Sequence, residues 1–301
     1  MWEPEPGWLA LPGGLGPSTL GVWRTAQGGR PVVVKRLVPP GPDDPPELAD
    51  PRHAAYWRRE ADVLETGIVA GPGLVGVPSS VEEDESGLTL TCEWVEDASL
   101  SGLFVALSMG RFAGSDLPRT RFLSHGLLRG RLARTERLAG GWPTLARTTV
   151  ADLAEALWSR RHGHLDHLDS LPQVPQHGDP THANIPGRRG DDAVAVDWSA
   201  LGTGPVGGDL GSFSLGAREE LEPLLEAYLV GLPAGLADPD DVRHAARVTA
   251  VYTALSRAEW ALARVAGGEG ALAGKYRHPA VAPHLLALQR TFPSIEALLG
   301  W

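Results

Sequence analysis

His177-Gly-Asp-Pro-Thr-His-Ala-Asn184, followed by Ala193-Val-Ala-Val-Asp197, is the stretch on which the reading of this chain turns. Eight positions carry an acid, an amide and two imidazoles just before a turn, and a short strand over 193–196 then delivers Asp197. Phosphoryl transfer asks little more of a protein: a carboxylate to orient the attacking hydroxyl, and oxygen ligands for a magnesium ion that bridges the phosphates. Asp179, Asn184 and Asp197 have those chemistries. The five-residue step from Asp179 to Asn184 lets one loop present a base and a ligand together, and a hairpin-like return brings Asp197 across from them. A polar surface loop is one alternative. A zinc site of His177, Asp179 and His182 is another, but zinc sites want three or four protein ligands, and no second Cys/His cluster stands nearby.

Around this polar island the pattern is helical: 150–161, 221–229, 241–265 and 282–292 all repeat apolar residues at helical spacing. The first hundred residues differ. Leu20–Trp23, Val32–Lys35 and Leu88–Val95 have the β-branched and aromatic content of strands. A proline-rich acidic loop (39–51) is expected to be mobile, and 53–67 reads as one helix with Tyr56, Glu60 and Val63 on one face. The fold class is therefore α+β, with a β-rich part over 1–97 and a mainly helical part over 98–301. Lys35, one of only two lysines, lies inside the strand VVVKRL. A buried lysine is costly unless paired with anions, and Glu60 on the following helix is the natural partner, Glu65 the fallback. An edge-strand lysine reaching to solvent is the alternative. Upstream, the glycines of Leu11–Leu20 allow close backbone approach to phosphates, with the Ser18 hydroxyl at the tip.

Taken in order, these motifs resemble the aminoglycoside phosphotransferase and choline kinase group, small-molecule kinases of protein-kinase-like bilobal fold. HGDPTHAN resembles the group's catalytic loop, and VAVDW its metal-binding aspartate. The resemblance implies Asp179 as base, Asn184 and Asp197 as magnesium ligands, and His177 as the residue that holds the loop. It implies Lys35 and Glu60 as the strand lysine and helix glutamate at the nucleotide phosphates, and Leu11–Leu20 as the loop covering them, with Ser18 the phosphate contact. LTLTCEWVEDASL resembles the hinge between lobes, with Cys92 as gatekeeper and the backbone of Glu93 and Val95 on the adenine edge. Asp209, in GTGPVGGDL, is expected to cap a helix and support the catalytic loop. The implied cofactors are ATP (or another NTP) and Mg2+, and the implied partner is a hydroxylated small molecule such as an aminoglycoside or other antibiotic, an amino alcohol, a nucleoside or a sugar. A nucleotide-binding scaffold without turnover is the rival.

Bulk properties set the limits. The 301 residues are 43% hydrophobic and 21% charged, an ordinary globular composition. A net charge of −10 argues against nucleic-acid binding. The single cysteine, Cys92, excludes an internal disulfide, and the acidic, proline-broken N-terminus does not read as a signal peptide. The expectation is a cytoplasmic protein without a membrane span, a monomer or weak homodimer. Residues 101–150 hold eight arginines against Asp116 and Glu136: either a solvated helical surface or a contact for an anionic substrate group. Glu222, Glu226 and Glu259 are acids on C-terminal helices, and Glu259 beside Trp260 suits an ammonium group. Helix-surface pairing with Arg257 and Arg264 is the alternative role for Glu259. A neutral or anionic acceptor would point instead to the arginines of 111–137.

Overall fold

The computed structural model describes residues 2–12, 16, 18–138, 149–266 and 277–300. Residues 13–15 and 17 of the expected phosphate-covering loop, Arg147, and the side chains of Glu136, Arg137 and Arg264 lie outside the described residues.

Strands β1 (Leu9–Ala10), β2 (Thr19–Gln27), β3 (Arg30–Leu37), β5 (Ser79–Asp84) and β6 (Gly87–Glu93) form one sheet in the order β1-β2-β3-β6-β5. Every neighbouring pair in it is antiparallel. The two-residue period of a strand sorts its side chains. On β3, Val33, Lys35 and Leu37 face the same way and pair with Cys92, Leu90 and Leu88 of β6. Helix α1 (Arg59–Thr66) covers one end of this face, where Ala61 buries Leu37, Leu88 and Leu90. Each such leucine contributes on the order of 2 kcal/mol by leaving water. The other end stays open, and Lys35 sits at the border between the two. On the opposite face Arg36 is fully buried, donating to Asp84 (2.6 Å) and Thr89 (2.8 Å). The Trp2 ring lies 5.2 Å from its guanidinium and packs on Trp8 and Trp23, so the N-terminal segment covers that face.

Two expectations need correction here. The helix read over 53–67 begins only at Arg59. The buried Arg59 guanidinium takes the carbonyls of Pro51, His53 and Ala54, the acceptors that further turns of helix would need, and also those of Phe122 and Ser199. Part of the proline-rich loop packs rather than projecting into solvent: Pro46–Ala49 makes a 3-10 turn and Leu48 is buried.

The C-terminal half consists of α2 (Gly102–Ala113), α3 (Leu127–Leu138), α4 (Thr149–Ser170), α5 (Gly208–Ser214), α6 (Leu221–Gly231), α7 (Pro239–Ala266), α8 (Ala282–Arg290) and α9 (Phe292–Leu299). Two small sheets complete it. One joins β4 (Leu74–Val75), β10 (Asp192–Val194) and β9 (Gly187–Arg189); the other joins β7 (Ser124–His125), β11 (Gly202–Pro205) and β8 (Gln173–Gln176). Strand β4 runs parallel to β10, and Leu74 is buried in the C-terminal core. A segment before residue 97 thus packs with the C-terminal half. Helices α2 and α6 cross closely because Gly110 and Gly231 stand at the contact; a Cβ on Gly110 would lie 2.1 Å from the Tyr228 carbonyl. The long α7 is the hub of a second core built with Leu157, Leu165 and Leu168 of α4. Among the described residues no helix is long and apolar enough to cross a membrane.

Candidate active site

Strand β8 runs straight into the loop that starts at His177, and three ties hold that loop. First, the Asp209 carboxylate accepts the His177 N–H (2.6 Å) and the Gly178 N–H (3.0 Å). Asp209 is therefore not the helix cap expected from sequence: Gly207 occupies that position of α5, and Asp209, in the first turn, spends its oxygens on the neighbouring loop. Second, the buried His177 ring accepts the Asp179 N–H at Nδ1 (3.3 Å), so its Nε2 carries the proton and donates to the Val196 carbonyl (2.9 Å). With both ring nitrogens used, His177 is not available to zinc. Third, the Asn184 side chain donates to the Asp179 carbonyl (2.9 Å), and the Asn184 backbone carbonyl accepts the Val196 N–H (2.9 Å). Gly178 is required: its φ is +86°, and a Cβ there would meet the Ala200 carbonyl at 2.4 Å.

Burial pushes Asp209 up to about 6, against the pull of His177, the two backbone N–H bonds and Arg131. A carboxyl whose pKa rises on folding binds a proton more tightly in the folded state. Its stabilising contribution is complete below pH ~4 and is lost as pH rises through about 6. Asp209→Asn is expected to flatten the fall of the melting temperature over that interval, measured by thermal unfolding at half-unit pH steps. An unchanged pH slope would contradict this origin.

Asp197 leaves β10 in the left-handed region, with φ +59°, a conformation that costs a non-glycine residue and tends to occur where function holds it. Lys35 donates to Glu60 (2.6 Å) and to Asp197 (3.1 Å), joining the sheet, α1 and the β10 exit in one cluster. Burial works against the Lys35 charge, but the two carboxylates outweigh it and hold its pKa above the ordinary lysine value. Burial raises Glu60 despite Lys35, whereas at Asp197 the pull of Lys35 overcomes burial and lowers the pKa. Glu65 pairs with Arg58 instead (3.5 Å).

Two cavities meet at this cluster, and a third adjoins the second at Asp179. An apolar cleft of about 630 Å³ is lined by Val22, Val33 and Val196, by Glu93 and Val95, and by Asn184 and Asp197. Cys92 also lines it, its thiol pushed up to about 12 by burial and by Glu60. A second space of about 360 Å³ holds Lys35, Asp197 and Asp179 together, with Ser18 on its wall. A third, of about 600 Å³, opens beyond Asp179 toward α7. The structure thus brings Ser18, Lys35, Glu60, Glu93, Val95, Asp179, Asn184 and Asp197 to one continuous groove.

It does not bring Glu259 there. The stripe of α7 facing the third cavity is Thr253, Ser256, Arg257 and Trp260; Glu259 lies off that stripe and is buried. Glu222 pairs with Arg247 (2.7 Å) and does not line the cavity, nor does Glu226. Two residues that sequence reasoning did not single out hold Asp179 instead. Arg131 donates to its Oδ1 (3.3 Å) and to the Gly178 carbonyl (2.9 Å), and Arg257 donates to the same Oδ1 (3.2 Å). The concentration of arginine over 101–150 was the one signal that could have found Arg131. Others of that group are ordinary surface pairs, such as Arg129 with Asp166 and Asp169. Among the described residues no three His, Cys, Asp or Glu side chains are grouped to hold a metal ion.

Comparison with known proteins agrees with this geometry. A profile described as the phosphotransferase enzyme family matches residues 11–247. No curated protein matches the chain in sequence. Solved structures resemble it throughout. The amicoumacin kinase hAmiN, in complex with AMP-PNP, Ca2+ and Ami, has a TM-score of 0.62 at 14% identity, covering 98% of this chain and 89% of that one. Choline kinase LicA from Streptococcus pneumoniae has a TM-score of 0.59 at 12% identity, covering 95% and 92%. A choline/ethanolamine kinase family protein from Mesorhizobium loti has a TM-score of 0.55 at 16% identity, covering 96% and 92%. With the loop, the lysine cluster and the groove in place, the chain belongs to the phosphotransferase enzyme family and has the protein-kinase-like α+β fold of the kinases it resembles.

Proposed function

We propose that the protein transfers the γ-phosphoryl group of ATP, or of another NTP, to a hydroxyl of a small molecule. The observation that carries this reading is the cavity that Lys35 and Asp197 share with the apolar cleft and that Asp179 also lines. The cleft suits a purine ring, with the backbone of Glu93 and Val95 along its edge, and Lys35 and Ser18 suit the phosphates.

The site residues fit a divalent cation. Asp197 and Asn184 line the same cleft and offer hard oxygen donors, and the bond from the Asn184 amide nitrogen to the Asp179 carbonyl leaves the amide oxygen for a ligand. When bound, magnesium neutralises charge on the transferring phosphoryl group. Lys35 adds its own charge to that effect from a position fixed by Glu60. Asp179 orients the acceptor hydroxyl and takes its proton as the oxygen bonds to the γ-phosphorus. The bond from that phosphorus to its bridging oxygen breaks, and the electron pair leaves with the nucleoside diphosphate.

The test is formation of nucleoside diphosphate and phosphorylated acceptor over a panel of hydroxylated compounds, with and without chelator. Acceptor-dependent, chelator-sensitive turnover is expected. Nucleotide binding without turnover on any acceptor would favour the scaffold reading. An aminoglycoside or other amine-bearing acceptor, the finer expectation from sequence, would find Asp179 as the one acid among the described residues lining the third cavity.

A further inference from the structure

The third cavity lies where an acceptor must sit, open to Asp179 and away from the nucleotide cleft. Among its described lining residues are three guanidinium groups, Arg131, Arg134 and Arg257, against the single carboxylate of Asp179. Arg131 and Arg257 come from different helices, α3 and α7, yet converge on the same Asp179 oxygen at 3.3 and 3.2 Å. One carboxylate oxygen thus answers two cations. Burial lowers the Arg131 pKa, and Arg257 and Arg134 add to that against the pull of Asp179 and Asp209. Behind them on α7 the Thr253 hydroxyl is fully buried, borders the cavity, and has no hydrogen-bond partner among the described residues.

An ammonium-bearing acceptor would enter against this charge. A carboxylate or phosphate would complete it, because guanidinium presents parallel N–H groups that match both anions in a two-point contact. We propose that the acceptor is a hydroxylated small molecule carrying an anionic group, carboxylate or phosphate, which Arg131, Arg134 and Arg257 bind beside the hydroxyl that Asp179 orients. This inference rests on the kinase reading above and names the substrate class of that same site.

The experiment uses the full chain saturated with AMP-PNP and Mg2+, and compares matched probes by calorimetry: glycerate, glycerol 3-phosphate, glycerol, and an amino alcohol of the same length. Turnover with ATP is followed in parallel. At least one anionic probe is expected to bind about tenfold or more tightly than glycerol, as one charge-assisted contact implies, and to bind more weakly as salt rises. The first two probes distinguish carboxylate from phosphate. Arg257→Gln and Arg134→Gln are expected to remove most of that difference, and Arg257→Gln is expected to retain AMP-PNP binding, since Arg257 lines neither the nucleotide cleft nor the cavity that holds Lys35 and Ser18. Arg131→Gln belongs to the same series, but Arg131 is packed against Gly178, so the other two variants carry the test if it fails to fold. Neutral or amine probes binding as tightly as the anions, or anion binding untouched by both variants, would overturn the proposal and leave the kinase reading standing. Failure of wild type to bind AMP-PNP and Mg2+ at all would bring down the kinase reading and this inference with it.

Discussion

Asp179→Asn is expected to lower kcat by about 10²–10⁴-fold, the usual cost of losing a positioned base, while ATP affinity changes by less than about twofold. The asymmetry follows from geometry. Asp179 does not line the apolar cleft, whereas it is common to the second and third cavities. Asparagine keeps the size of the side chain and leaves the backbone of the loop intact, because the ties to His177 and Asn184 use the Asp179 N–H and carbonyl, not its carboxylate. Folding should therefore survive, and an unchanged melting profile beside a collapsed kcat is the expected pair of results. With the carboxylate gone, Arg131 and Arg257 also lose their shared partner, so an anionic acceptor should bind no more weakly than to wild type. Turnover close to wild type in the purified variant would remove Asp179 from the role of base.

Asp197→Ala should act on the other side of the groove. It deletes one of the two oxygen ligands offered to the metal ion and one of the two carboxylates that hold Lys35. Affinity for the magnesium–nucleotide complex is expected to fall by at least about 100-fold, the upper end of what even indirect disturbance of a metal site costs. Affinity for the nucleotide measured without metal should move far less, since Lys35 keeps Glu60 at 2.6 Å. Calorimetric titration of ATP with and without Mg2+ separates the two effects. Equal enhancement by Mg2+ in wild type and variant would show that Asp197 is not a ligand.

What was legible in the amino-acid order was everything that depends on neighbours in the chain. The eight-residue loop, Asp197 at a strand exit and Lys35 within an alternating strand are local patterns: loop length and strand period determine which way each side chain leaves the backbone. The helical stripes of the C-terminal half are equally local. Tertiary structure decided what depends on charges meeting across the fold. Arg59 shortens α1 by drawing the carbonyls of Pro51, His53 and Ala54 to its guanidinium, and nothing in their spacing announces that. Asp209 sits where a helix cap is plausible, yet its oxygens go to backbone N–H groups 31 and 32 residues earlier. Above all, the acceptor wall could not be read from the acids on the C-terminal helices, because the rotation of α7 turns Arg257 toward Asp179 and Glu259 into the interior, and α3 brings Arg131 to the same oxygen from 48 residues away. Sequence spacing settles which groups lie together on one element; the sign of the field where two elements meet is a property of their packing alone.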